Sequence, residues 1–199
     1  MINLQAEFLN APKVLKLLKK APEKYNYALE NTINEAGKRC HILAKKSIAK
    51  KWGVMPGKLS GRSKVIKASF SGGKGAAEIK MSINATPLDH FKHTPNKAFR
   101  GPQKGGVRIT SFKEAALPLP RAFVPIFNDK MILRVARDSS GKYIKTSKGK
   151  PKLERMYTSH TAHMATADST NIPPEIEKEA QAIFNETFMK EVDEWLNTL

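Results

Sequence analysis

The chain has 199 residues, 40% of them hydrophobic and 27% charged, with twelve glycines and twelve prolines; this composition suits one folded domain and excludes a disordered or collagen-like chain. Its formal charge of +17 is uneven, because from Glu175 onward seven acidic residues stand against two lysines and the preceding segment carries +22, a field that selects polyanions: nucleic acid, anionic membrane or an acidic protein surface. The single cysteine, Cys40, excludes an intrachain disulfide and a multi-cysteine metal site, and polar breaks between Met1 and Leu18 exclude a signal peptide, so a soluble protein folding in a reducing cytoplasm is expected.

In chain order, residues 1–21 read as an N-terminal arm or short helix that ends at Ala21-Pro22. Leu29, Ile33, Ala36, Cys40, Leu43 and Ser47 then recur at alternating steps of four and three, which predicts a long helix from about Glu23 to Lys50, stopped by Trp52-Gly53 and Pro56-Gly57. Cys40 falls in that stripe and reads as a small core residue. Val65 to Phe70 and Ala77 to Ile83 flank a glycine run and predict a hairpin, with Ile79, Met81 and Ile83 on one face and Glu78, Lys80 and Ser82 on the other.

Residues 84–106 are turn-rich and basic, the composition of a long exposed loop. Strands are expected at Val107 to Phe112, Ala122 to Asn128 and Lys130 to Ala136, giving an antiparallel sheet. A second extended loop is expected over about 138–170, cationic from Ser139 to Pro151 and indistinct after Leu153. Asn171 caps a final amphipathic helix through Ile176, Ala180, Ile183, Phe188, Val192, Trp195 and Leu199. No internal repeat is apparent. The expected fold is a single α+β domain over 22–199, an antiparallel β-sheet packed by a long N-terminal helix and a C-terminal amphipathic helix, with long basic loops.

Catalytic chemistry finds little support. His90 and His93, and His160 and His163, have an i, i+3 spacing that could serve a metal, with Asp89 and Asp168 nearby, but a zinc site needs three or four ligands and the better reading is exposed loop histidines. The run Ser71-Gly72-Gly73-Lys74-Gly75 does not open a helix, so it reads as a hairpin turn and not a phosphate loop. No catalytic residue, metal ligand or cofactor is assigned. The candidate partner-facing or DNA-facing residues are basic: Lys45, Lys46, Lys50, Lys51, Lys58, Arg62, Lys64 and Lys67 in one run, and Lys142, Lys145, Lys148 and Lys150 in another. Trp52 and Phe70 near the first run and Tyr143 in the second are fewer aromatics than nucleic-acid readers usually interleave.

The order of short motifs resembles the minor tail protein Z family of lambda-like tailed phages and prophages. The pieces are the helix Ala28-Leu29-Glu30-Asn31-Thr32-Ile33-Asn34 running into Ala36, Ala44 and Ile48, the basic stretch Lys58 to Ser69, Ala77-Glu78-Ile79, Pro87-Leu88, Gly105-Gly106-Val107, Arg121-Ala122-Phe123-Val124-Pro125 and Leu133-Arg134-Val135-Ala136-Arg137. Arg121 stands where that family usually has glycine. The resemblance implies a non-enzymatic virion protein, a tail-completion protein acting in head–tail joining at the head-proximal end of the tail and present in the host cytoplasm during assembly. It implies contact with the tail terminator or the head–tail connector, and a homo-oligomeric ring for which a hexamer is one candidate and the copy number is left open. DNA in the tail lumen would then be a non-specific contact and membrane would not be a partner. The alternative from charge alone is a basic nucleic-acid-binding protein.

Overall fold

The computed structural model describes residues 11–70, 75–95, 106–110, 116–119, 121–125, 131–167 and 172–198. Helices α1 (Ala11–Lys20), α2 (Pro22–Trp52), α3 (Pro56–Leu59), α4 (Thr161–Thr166) and α5 (Ile172–Asn197) accompany strands β1 (Ser63–Ile66), β2 (Glu78–Met81), β3 (Ala85–Pro87), β4 (His93–Thr94), β5 (Val107–Thr110), β6 (Ala116–Leu119), β7 (Ala122–Phe123), β8 (Leu133–Val135), β9 (Leu153–Arg155) and β10 (Tyr157–His160). The class is α+β, and the described strands pair as four small antiparallel sheets, β1-β2, β10-β3, β4-β5-β6 and β7-β8-β9. Backbone contacts group the chain into two compact units that interleave in sequence, Met1–Ser47 with Gly61–Met81 and Ala165–Leu199, and Ile48–Ser60 with Ser82–Met164. No helix among the described residues is long and apolar enough to cross a membrane.

The first unit is a helical core with one hairpin laid on it. Val14 and Leu17 of α1, Ala28 and Ala36 of α2, and Phe184, Phe188 and Val192 of α5 form one buried cluster. Phe184 and Phe188 stack with centroids 5.8 Å apart, and Tyr25 meets Phe188 edge-on at 6.0 Å. The expected apolar stripe of α2 holds at its centre, Ala36 and Cys40, and slips by one residue toward either end: the buried line runs Ala28, Thr32, Ala36, Cys40, Ala44, Ile48, while Leu29, Ile33, Leu43 and Ser47 flank it half-buried. Small side chains sit on the line because α2 is gripped closely, and its longer apolar residues reach in from the sides. Gly37 shows how closely, since a Cβ there would stand 3.0 Å from the Ala77 Cβ. Burial also pushes the Cys40 thiol pKa up, so it is an inert core group.

The β1-β2 hairpin pairs Ser63 with Met81 through Ile66 with Glu78, and Ile79 and Met81 are half-buried while Glu78 and Lys80 face solvent as the alternation predicts, but β2 ends at Met81 and the alternation does not continue, so Ile83 is 78% exposed. The glycine turn between them falls largely in 71–74, outside the described residues. Beyond β1 the α2 side chains hold the chain like a strand partner. The Asn34 amide donates to the Ala68 carbonyl at 3.1 Å and accepts from the Ala68 N–H at 2.8 Å, and Glu30 accepts the Phe70 N–H at 2.8 Å.

The second unit is built on short strands and an ion pair with a buried carboxylate. Asp89, in a 3-10 turn at Leu88–His90, is 4% exposed and receives both Nε and Nη2 of Arg155 from β9, at 2.9 and 2.7 Å. Backbone bonds fasten the same turn on its other sides, from Met55 N–H to the His90 carbonyl and from Leu88 N–H to the Met156 carbonyl. Trp52, at the end of α2, donates its indole N–H to the Met164 carbonyl at 2.9 Å. The expected loop at 84–106 therefore carries β3, the 3-10 turn and β4 before it leaves the described residues at 96. Strands of two or three residues contain too little alternation to announce themselves, and β10 likewise lies in the stretch that read as indistinct.

Two stability predictions follow from these cores. Phe188→Ala should cost about 3–5 kcal/mol in urea unfolding, the range for deleting a buried phenylalanine. Asp89→Ala should cost about 3 kcal/mol, because it leaves the Arg155 guanidinium without its carboxylate. Asp89→Leu combined with Arg155→Met should recover a substantial part of that loss.

Candidate functional site

The two basic runs meet different fates. Lys45, Lys46, Arg62, Lys64 and Lys67 belong to the first unit, whereas Lys50, Lys51 and Lys58 belong to the second, so the first run does not assemble within one unit. Lys142, Lys145, Lys148 and Lys150 lie together in the second unit on a single projecting element, and none of them has an ion pair among the described residues.

That element replaces the featureless cationic loop expected between β8 and β9. At its base Ala136, Ile144 and Lys152, eight residues apart, close a triangle of backbone hydrogen bonds: Ile144 N–H to Ala136, Lys152 N–H to Ile144 and Ala136 N–H to Lys152, at 3.0, 2.8 and 2.8 Å. Three β-ribbons meet there. One is the β8-β9 pair; the others are hairpins held by the bridges Arg137 to Tyr143 and Lys145 to Pro151. The hairpin turns repeat each other at a spacing of eight. Asp138 N–H bonds to the Lys142 carbonyl and Gly141 N–H to Asp138; Thr146 N–H bonds to Lys150 and Gly149 N–H to Thr146. Gly141 and Gly149 have φ of 81° and 72°, so each turn places glycine where an L side chain would be strained. Every residue from 137 to 153 is exposed, and hydrogen bonding with the two glycines, not burial, gives the element its shape.

The turns differ in one respect. In the first, Asp138 Oδ1 accepts the Ser140 N–H, the Ser140 hydroxyl and the Lys142 N–H at 2.9, 2.7 and 2.9 Å, and these bonds hold the Asp138 carboxyl below its ordinary pKa. In the second, Thr146 occupies the position of Asp138, and no side-chain acceptor among the described residues reaches the amides of Lys148 or Lys150. The signal for this was present in the sequence as Asp-Ser-Ser-Gly-Lys at 138 and Thr-Ser-Lys-Gly-Lys at 146, a two-copy repeat too short to read as an architectural one.

An open groove of about 640 Å3 runs beside the first hairpin, lined by Leu119, Ala122, Val135 and Met156 and edged by Arg121, Arg134 and Arg137. Ala122, Arg134 and Glu154 lie in one cross-strand row, and Arg134 pairs with Glu154. Arg137 stacks 4.2 Å over the Tyr143 ring and donates to the Gly141 carbonyl at 2.6 Å and the Tyr143 hydroxyl at 2.8 Å, which stiffens the first turn. Arg121, at the turn before β7, is exposed and has no ion pair among the described residues. The first unit has an open groove of about 740 Å3 between α2 and α5, but its rims carry Glu30, Glu35, Glu186 and Glu191 against Lys38, Arg39, Lys67 and Lys190, and Glu35 is already bonded to Lys38 and Arg39.

The expectation of exposed loop histidines fails for His90 and His93, whereas His163 is exposed, though on α4 and not in a loop. His90 and His93 are half-buried; the His93 Nδ1 N–H donates to the Phe91 carbonyl at 2.8 Å, and His90 Nε2 stands 3.9 Å from Asp89 Oδ2. His160 ends β10, His163 lies 6.1 Å from the Trp52 ring, and Asp168 is outside the described residues. Among the described residues no three of His, Cys, Asp and Glu are placed to hold a metal. Comparison with known proteins finds no matching family model, no matching curated protein and no matching solved structure.

His41 supplies a pH test of the first unit. Its Nε2 lies 2.8 Å from the Ser63 hydroxyl, and burial, then the charge of Lys45, pushes its pKa below the ordinary 6.5. The folded state therefore binds a proton less tightly than the unfolded one, so stability should decline as pH falls below about 6.5. Thermal melts between about pH 7.5 and 5 should show that decline, and His41→Gln should flatten it.

Proposed function

We propose that this chain is a non-catalytic structural protein of a phage virion, a minor tail or tail-completion protein that joins tail to head at the tail's head-proximal end and assembles in the host cytoplasm. The order of motifs resembling the minor tail protein Z family supports the assignment, and the observation that carries the binding role is the double hairpin between β8 and β9. It is ordered by its own hydrogen bonds yet entirely exposed, and with its neighbourhood it leaves Tyr143 54%, Ile144 38%, Leu153 41% and Tyr157 54% accessible among lysines and arginines. Ordered aromatic and aliphatic surface beside positive charge is the makeup of a protein-docking patch with an electrostatically guided approach. The partners proposed are the tail terminator or head–tail connector and further copies of the chain in a ring, which a head-to-tail interface generates when its rotation closes.

Deleting the gene from its phage or prophage and imaging the particles by negative-stain microscopy tests the reading. Separate filled heads and tails, or joined particles that cannot infect, rescued by the gene in trans, are the expected result. Normal infectious particles would remove the completion role and leave nucleic-acid binding as the first reading.

A further inference from the structure

The two turns of the double hairpin form an internal comparison. They share backbone bonding, glycine position and lysine position, but the first is closed by its own anion, the Asp138 carboxylate, and the second is not. The first turn thus demonstrates what this backbone shape does with a negative oxygen: two amide N–H groups two residues apart converge on it. In the second turn the corresponding amides, of Lys148 and Lys150, have no side-chain acceptor among the described residues, and the surrounding charge favours an anion further. No acidic residue occurs from 139 to 153, whereas lysines stand at 142, 145, 148, 150 and 152.

We propose that the Thr146–Lys150 turn is a binding site for a phosphate oxygen of a nucleic-acid backbone, taken by the amides of Lys148 and Lys150 in the place that Asp138 fills in the first turn. The occupant is phosphodiester and not an acidic peptide for two reasons on this element. Lysines spread along the projection match a charge that repeats along a strand, and lysine is a point-charge partner for phosphate with no geometric demand for a planar carboxylate. The contact reads no bases, since the donors are main-chain amides and ammonium groups. The site adds a nucleic-acid contact to the double hairpin that the tail reading assigns to protein docking; it rests on the turn geometry and does not require the tail role to hold.

The test is binding of the full chain to a labelled duplex oligonucleotide of about 20 base pairs by fluorescence anisotropy, across a salt series. Thr146→Asn supplies an internal amide oxygen to the same N–H groups without changing charge, and should weaken binding by about tenfold or more, tenfold being the loss of two hydrogen bonds at the low end of their net strength in water. Thr146→Asp should weaken it more than Ser147→Asp, which adds the same charge beside the cradle. The converse change, Asp138→Thr, opens the first turn and should strengthen binding. Equal affinity for the wild type and Thr146→Asn would overturn capture by the amides, and binding of polyglutamate in place of the duplex would overturn the phosphate assignment. These results are independent of the deletion phenotype: a protein that binds the duplex through this turn while its deletion leaves virions infectious keeps the site and loses the tail role.

Discussion

The Asp89–Arg155 pair is the constraint on which the second unit depends. A guanidinium and a carboxylate gripping through two parallel hydrogen bonds tolerate little rotation, so β9 cannot turn relative to the 3-10 turn without leaving a buried charge unmatched. Arg155 lies opposite Leu133 on β8, so the same contact fixes the strand pair whose far end opens into the double hairpin. The binding surface is exposed, but its foundation is a pair whose carboxylate is buried, with Asp89 at 4% exposure, and whose guanidinium is half-buried. A rigid base with an uncovered tip keeps the entropic cost of ordering the tip within its own backbone hydrogen bonds.

Charge is handled differently in the two units. In the first, acidic and basic side chains largely answer one another: Lys13 pairs with Asp193, Glu35 with Lys38 and Arg39, and the α5 carboxylates face α2. Along the double hairpin the lysines have no such answer among the described residues. Unpaired like charges repel, and a short stretch that holds five lysines in fixed hairpins has a standing preference for any anion that relieves the repulsion. The net charge of the chain is therefore less informative than its distribution over these two settings.

How much could be read from the sequence follows the length of each element. The long helices and the β1-β2 hairpin were legible because α2 and α5 run for 31 and 26 residues and Glu78 to Met81 alternate cleanly. The α2 stripe was legible only at its centre, Ala36 and Cys40, because toward the N-terminus hydrophobicity points to Leu29 and Ile33 while close packing selects Ala28 and Thr32. Asp89 was invisible as a core residue since nothing near it in sequence announces Arg155, 66 positions away. The basic lysines of the second run were visible as charge, but their function depends on Thr146 standing where a carboxylate would close the turn, which only backbone geometry exposes. The first run is shared between the two units, with Lys45, Lys46, Arg62, Lys64 and Lys67 in one and Lys50, Lys51 and Lys58 in the other, a division that sequence proximity does not announce.

The triangle of bonds joining Ala136, Ile144 and Lys152 has an evolutionary consequence. Because each hairpin begins and ends at this junction, and the segments repeat every eight residues, a hairpin is a detachable module whose duplication or loss leaves the incoming and outgoing strands facing each other as before. The reach of the projection is thus set by the hairpins alone, while the β8-β9 register that carries it lies below the junction and involves neither of them.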